Sequence, residues 1–147
     1  MSFALVGRTI TERIVAVTNA DGIRLLLIDD EASVCEVIGD IIAAFAPGKV
    51  DLTCVNSDTA AYRAFAEGPP YDLIFVDINL GRGTTGYDVA RRARSIYPDV
   101  EVIYISGQID QQSVATFGVE GSTFLAKPFT SQQLLAAIGV EPLKRAV

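Results

Sequence analysis

The chain contains no histidine among its 147 residues. A catalytic triad built on histidine and a zinc site ligated by histidine are therefore excluded. Long apolar runs are also missing, because no segment approaches the roughly 18–20 residues that span a membrane. Met1 to Ile10 lacks the basic head and long apolar stretch of a secretory signal. These absences favour a cytoplasmic location with no membrane partner.

Cysteine is scarce, and the two residues present, Cys35 and Cys54, do not form a CxxC pair. Isolated thiols of a cytoplasmic chain usually pack as small apolar side chains. We therefore expect two buried, unlinked cysteines, with a disulfide or a metal site as the alternatives.

Positive charge is in short supply, since 12 lysines and arginines face 18 acidic residues and the net charge is -6. An acidic domain binds nucleic acid poorly unless it carries a concentrated basic patch. The candidate patch is Arg91, Arg92 and Arg94, which fall within one predicted helix. We interpret it as a solvated helix face, and we expect no direct contact with nucleic acid.

Short apolar runs alternate along the chain with segments of helical periodicity. Half of the residues are hydrophobic, which is typical of one globular domain with an ordinary core. Continuous apolar runs suit strands that are buried on both faces. The predicted strands are Arg24–Asp29, Val50–Val55, Leu73–Val76, Val100–Ile105 and Ser122–Ala126.

Five helical segments separate or follow these strands. The first covers Ala32–Phe45, the second follows a Ser57 N-cap to about Glu67, and the third covers Tyr87–Tyr97. A short fourth helix is predicted over Asp110–Phe117, and Thr130 with Gln133 has the spacing of a capping box for the fifth. Strands that alternate with helices predict a parallel sheet covered on both faces.

Polar side chains stand at the carboxyl ends of four predicted strands. They are Asp29-Asp30-Glu31, Asp77, Ser106 and Lys127. Ligands of open parallel sheets bind at this edge, so we expect these side chains to converge. Carboxylates about 4 Å apart repel by about 4 kcal/mol at an intermediate dielectric, and oxygen ligands of this kind suit Mg²⁺. One carboxylate could then act as a nucleophile and form an aspartyl phosphate.

The order Asp-Asp, Asp, Ser, Lys-Pro on successive strand ends resembles the response-regulator receiver family of two-component signalling. The resemblance covers about residues 24–139. It implies a flavodoxin-like (βα)5 fold, a doubly wound parallel sheet with strand order 2-1-3-4-5. The expected organisation is an N-terminal extension of unknown role (1–23), a receiver domain (24–140) and a short tail (141–147).

The same resemblance implies roles for the polar residues. Asp77 would be the phosphoacceptor, assisted by Lys127 and Ser106. Mg²⁺ would be held by Asp29, Asp30, Asp77 and the backbone carbonyl of Asn79.

Further roles concern switching and the lifetime of the phosphoryl group. Ser106 and Phe124 would be the switch pair, although periodicity alone also allows Phe124 to be a fixed core residue. Asn79 and Gln108 would tune the phosphoryl lifetime, and the Lys127–Pro128 peptide bond would be cis.

Two features depart from the family pattern. Leu80-Gly81 stands where most receivers have a proline after the acceptor, and Gly86 lies nine residues after Asp77 instead of eight. The loop therefore looks one residue longer. The short fourth helix puts the usual output surface in doubt.

The expected function is a phosphorylation switch that is not a turnover enzyme. Because the chain lacks histidine, the phosphohistidine donor must be another molecule, either a sensor histidine kinase or a histidine phosphotransfer protein. Output would pass to an unknown downstream protein, and a homodimer is possible. The alternatives are a constitutive interaction module with this fold and a Mg²⁺-dependent phosphatase. Asn79 argues against the phosphatase, because haloacid-dehalogenase-like enzymes, which also use an aspartate after a strand, have a second aspartate two residues after the nucleophile.

Overall fold

The computed structural model describes residues 22–81, 84–107 and 111–142. Five strands alternate with five helices in this part of the chain. The strands are β1 (Ile23–Ile28), β2 (Val50–Val55), β3 (Leu73–Asp77), β4 (Glu101–Ser106) and β5 (Thr123–Ala126). The helices are α1 (Ala32–Phe45), α2 (Asp58–Glu67), α3 (Gly86–Ile96), α4 (Gln111–Phe117) and α5 (Ser131–Ile138). Most of the predicted N-terminal extension (1–21), Gln108 and most of the tail (143–147) lie outside the described residues.

The five strands form one parallel sheet in the order β2-β1-β3-β4-β5. The predicted flavodoxin-like fold is therefore confirmed. Strand order reverses at β1, because the chain first adds β2 on one side and then β3 on the other. Ligands of such sheets bind at this switch point, beyond the carboxyl ends of the strands. The ends of β1 and β3 meet there.

Burial on both faces explains why the strands have continuous apolar sequences. In β1, Leu26 and Ile28 pack in a core beneath α2 and α3, whereas Leu25 and Leu27 pack in a second core beneath α1 and α5. Strand residues alternate between the faces. A strand that is covered on both faces therefore requires an apolar residue at every position.

Side chains cap three of the helices. The Ser57 hydroxyl accepts the Ala60 N–H at the start of α2, and the predicted Thr130–Gln133 capping box is present at α5. A second capping box, between Thr85 and Asp88, starts α3 one residue earlier than periodicity predicts. The longest described helix has 14 residues, and none of those described has the length and apolar character needed to cross a membrane.

The arginines of α3 include two exposed residues, Arg91 and Arg92, in keeping with the predicted solvated face, and they also bind their own chain. Arg91 donates to the Phe117 carbonyl at 3.1 Å, and Arg94 donates to the Glu120 carbonyl at 2.8 Å. Arg92 lies over the Tyr62 ring, 5.2 Å from its centroid. Two of the three guanidinium groups therefore fasten the end of the short helix α4, and the turn that follows it, to α3.

Cys35 and Cys54 form a disulfide, so the prediction of two unlinked thiols was wrong. Cys35 lies in the first turns of α1, and this helix crosses back over β2, which carries Cys54. The crossing brings their Cα atoms to 6.2 Å, within the range that a disulfide spans. Sequence spacing alone contains no information about this approach.

Candidate functional site

Two aspartates stand side by side at the switch point, each held by a backbone N–H two residues further on. Asp29 follows β1 and its Oδ1 accepts the Glu31 N–H at 2.9 Å. Asp77 ends β3 and its Oδ1 accepts the Asn79 N–H, also at 2.9 Å. Both residues are buried, with about 5% of their surface exposed. The second oxygen of each carboxylate faces the same cation.

That cation is Lys127, which follows β5. Its Nζ lies 2.9 Å from Asp29 Oδ2, 3.3 Å from Asp77 Oδ2 and 2.8 Å from Glu31 Oε1. The Lys127 N–H donates to the Ser106 carbonyl, and the following peptide bond to Pro128 is cis. The backbone of β4 thus fixes the point from which the lysine side chain reaches across the sheet edge.

The protonation of the site follows from burial and from these contacts. Burial raises the pKa of Asp77; the Asn79 N–H opposes this rise, and the neighbouring Asp29 charge adds to it. Burial alone would lower the pKa of Lys127, but the hydrogen bonds that its ammonium donates to Glu31 and Asp29 outweigh this effect and hold the pKa above its ordinary value. Lys127 therefore carries a permanent positive charge. The buried Asp77 carboxylate is stabilised either by protonation or by a bound cation.

A stability measurement without metal tests the strain on Asp77. The folded protein holds the Asp77 proton more tightly than the unfolded chain, so stability falls as pH rises through the raised pKa. Asp77→Asn removes the charge and should be more stable than the wild type at pH 7 in a chelator. The gap should close as pH falls to about 4, where unfolded aspartate also binds its proton. Denaturant titrations at several pH values measure this gap; a gap that widens on acidification would contradict the account.

Ser106 and Phe124, the predicted switch pair, lie on neighbouring strands. Ser106 ends β4, buried, and pairs in register with Ala126 of β5. Phe124 is half-buried and pairs in register with Tyr104, a fully buried ring whose hydroxyl accepts the Val119 N–H at 3.1 Å. The space beside Phe124 is thus occupied by a tyrosine anchored to the segment after α4. Movement of Phe124 stays a prediction.

Of the two predicted lifetime residues, the structure describes one. Asn79 is exposed, two residues after Asp77, and bridges Thr85 across the loop. Its backbone N–H donates to Asp77 Oδ1, and its influence on the phosphoryl lifetime stays a prediction. Gln108 lies outside the described residues.

The acidic residues fit a hard divalent cation. Carboxylate oxygens of Asp29, Asp30 and Asp77 lie within 4.8 Å of one another. Asp29 and Asp77 are buried and Asp30 is exposed, which leaves a route to solvent. Lys127 supplies a single positive charge against these three acids. Oxygen ligands with an open side suit Mg²⁺, which keeps several of its waters.

Two details of this site were not predicted from the sequence. Glu31 was expected among the converging polar residues, but its direct contact with Lys127 was not. Gly86 packs against the backbone of Asp77, where an added Cβ would lie 2.3 Å from the Asp77 carbonyl oxygen. The sequence offered a glycine at about the family spacing but no hint of this approach.

Comparison with known proteins identifies the family. The model of the response regulator receiver domain matches residues 25–139. The regulatory protein VirG of Agrobacterium tumefaciens is 30% identical over 118 residues, which cover 79% of this chain and 42% of VirG. VanRB of Enterococcus faecalis is 26% identical over 118 residues, 79% of this chain and 50% of that protein. The chain thus spans about half the length of the curated relatives that it matches.

Solved structures agree with this assignment. A response regulator receiver protein from Sinorhizobium medicae has a TM-score of 0.68 and 33% identity, over 82% of this chain and 94% of its own. The receiver domain of the sensor histidine kinase PA1611 from Pseudomonas aeruginosa has a TM-score of 0.66 and 24% identity, over 80% and 94%. That second structure has a magnesium ion in its active site cleft. This chain belongs to the response regulator receiver domain family of two-component signalling.

Proposed function

We propose that this receiver domain accepts a phosphoryl group on Asp77 from a phosphohistidine of a sensor histidine kinase or a histidine phosphotransfer protein. Receiver domains are signalling switches that interact with sensor histidine kinases. The observation that carries the proposal is the position of Lys127 Nζ at the carboxyl edge of the sheet, 2.9 Å from Asp29 Oδ2 and 3.3 Å from Asp77 Oδ2. One buried nucleophile, one acid and one fixed cation meet there.

The proposed step is an in-line phosphoryl transfer. A carboxylate oxygen of Asp77 forms a bond to phosphorus as the P–N bond of the phosphohistidine breaks. The leaving imidazole nitrogen keeps the bonding pair and takes up a proton. Lys127, permanently charged, neutralises oxygens of the transferred group, and electrostatic stabilisation of this kind dominates phosphoryl transfer.

Asp29, Asp30 and Asp77 are the residues that would hold Mg²⁺, with the Asn79 carbonyl as a further ligand. The ion, when bound, would offset the charge that accumulates between the carboxylates and the phosphoryl oxygens. The 4.8 Å clustering of the carboxylate oxygens supports this assignment. The magnesium ion of the PA1611 receiver gives it a precedent in the same fold.

Ser106 is the residue that would report phosphorylation. Its place at the end of β4, beside β3 and β5, allows its hydroxyl to donate to a phosphoryl group on Asp77. Moving a population from 1:99 to 99:1 requires about 5.5 kcal/mol, and new bonds from Ser106 and Lys127 would supply part of it. The rearranged surface would then be recognised by a downstream protein or by a second copy of the chain.

Intact-mass measurement after incubation with acetyl phosphate tests this function. We expect a gain of one phosphoryl group that requires Mg²⁺, is lost in Asp77→Asn and is kept in the matched control Asp72→Asn. Asp72 is an exposed aspartate directly before β3. A folded wild type that gains nothing from acetyl phosphate or from phosphorylated histidine kinases would instead indicate a constitutive interaction module. Release of phosphate from small phosphomonoesters over thousands of cycles would indicate the phosphatase.

A further inference from the structure

Glu31 occupies the N-cap position of α1 but does not cap the helix. Its backbone is extended (φ -95°, ψ 109°), as expected at this position, yet its side chain makes no hydrogen bond to the free N–H groups of the first turn. The carboxylate lies 2.8 Å from Lys127 Nζ instead. The Glu31 side chain is thus engaged with Lys127 and not with the start of α1.

The three carboxylates around Lys127 differ in how they meet water. The side chains of Asp29 and Asp77 are 1% and 8% exposed, whereas that of Glu31 is 60% exposed. Of the three carboxylates, Glu31 can therefore break its contact with Lys127 at the smallest cost, because water solvates its charge once the contact is lost.

An incoming phosphoryl group needs the same ammonium. Lys127 is 3.3 Å from Asp77 but 2.8 Å from Glu31, so its charge is shared before any phosphoryl group arrives. A phosphodonor is itself an anion, and it approaches a cleft in which Glu31 adds a negative charge. Competition for Lys127 and repulsion of the donor both act against phosphorylation.

We propose that Glu31 is a positioning residue that holds Lys127 in the resting state and so slows phosphorylation of Asp77. This role rests on the proposed function, because it acts through the lysine that serves the phosphoryl group. Loss of the contact frees Lys127 for the phosphoryl oxygens. An exposed ion pair of this kind corresponds to a change of about two- to fivefold in rate.

Three variants test the proposal with acetyl phosphate at saturating Mg²⁺. We expect Glu31→Gln to be phosphorylated about two- to fivefold faster than the wild type. Glu31→Asp should also be faster, because its shorter side chain withdraws from Lys127 and aspartate is a preferred N-cap. Asp40→Asn removes one exposed charge of α1 about 13 Å further along the helix, and it should keep the wild-type rate.

The rates of these variants distinguish an effect of the Glu31–Lys127 contact from a general effect of the negative charge at position 31. If Glu31→Gln is faster but Glu31→Asp matches the wild type, charge alone acts and the proposal is wrong. An unchanged or slower Glu31→Gln would overturn it as well.

A second measurement is independent of phosphorylation. Free energies of unfolding are compared for Glu31→Gln, Lys127→Met and the double variant without metal. We expect the double variant to lose less than the sum of the single losses, as interacting residues do. Strict additivity would exclude the contact. If coupling is present but the wild type accepts no phosphoryl group, the proposed function fails while the Glu31–Lys127 contact stands.

Discussion

Lys127→Met is expected to lower the rate of Asp77 phosphorylation by about two to three orders of magnitude, the loss typical of removing a charge-stabilising donor. The methionine side chain has similar length but carries no charge. Lys127 Nζ lies 3.3 Å from Asp77 Oδ2, where a phosphoryl group on that carboxylate would meet it. Rates are measured from intact masses during incubation with acetyl phosphate.

The same variant should bind Mg²⁺ more tightly than the wild type. The ammonium lies 2.9 Å from Asp29, so it repels a second cation and competes for the same oxygens. Without the ammonium, a bound metal ion is the cation left to compensate the negative charge of the buried carboxylates. Lys49→Met, which removes an exposed lysine, is the control for both measurements. A Lys127→Met protein that binds Mg²⁺ and is phosphorylated at the wild-type rate would exclude the assigned role.

Gly86→Ala is expected to destabilise the protein by about 1–3 kcal/mol or more, as overpacking does. The new methyl group would lie 2.3 Å from the Asp77 carbonyl oxygen and 2.9 Å from the Ile78 Cα. The Gly86 N–H also donates to the Ile78 carbonyl at 2.8 Å, so the two segments cannot part without losing this bond. The displaced backbone carries Asp77, and phosphorylation should slow in any folded fraction.

Gly39→Ala is the matched control for this prediction. Gly39 lies inside α1, and its nearest neighbour to an added Cβ is a Leu52 methyl at 3.9 Å, an ordinary contact. Alanine should stabilise the helix by about 0.5–1 kcal/mol. Denaturant unfolding gives both values; a Gly86→Ala protein as stable as the wild type would show that the loop yields without cost.

Local rules explain why so much of the fold could be predicted. Continuous apolar runs such as Leu25–Ile28 suit a strand buried on both faces, and their short length favours a strand over a buried helix. Ser57 and Thr130 start helices because their hydroxyl groups accept free N–H groups of the first turn. Strands that alternate with helices predict parallel pairing. The carboxyl ends of parallel strands lie at one edge of the sheet, so the polar residues at those ends were expected to meet there.

Contacts between distant segments explain what was missed. The disulfide depends on how α1 crosses β2, and the carbonyl contacts of Arg91 and Arg94 depend on where α4 ends. The Glu31 side chain contacts Lys127, a residue 96 positions away along the chain. The spacing of residues within one segment does not predict contacts with a distant segment.

The central claim is that Asp77, among the clustered acids, accepts the phosphoryl group. Borohydride reduces an aspartyl phosphate to homoserine, so peptide mapping after phosphorylation and reduction identifies the residue. We expect homoserine at position 77, formed only when Mg²⁺ and the phosphodonor are both present. Homoserine at position 29 or 30, with Asp77 intact, would contradict it.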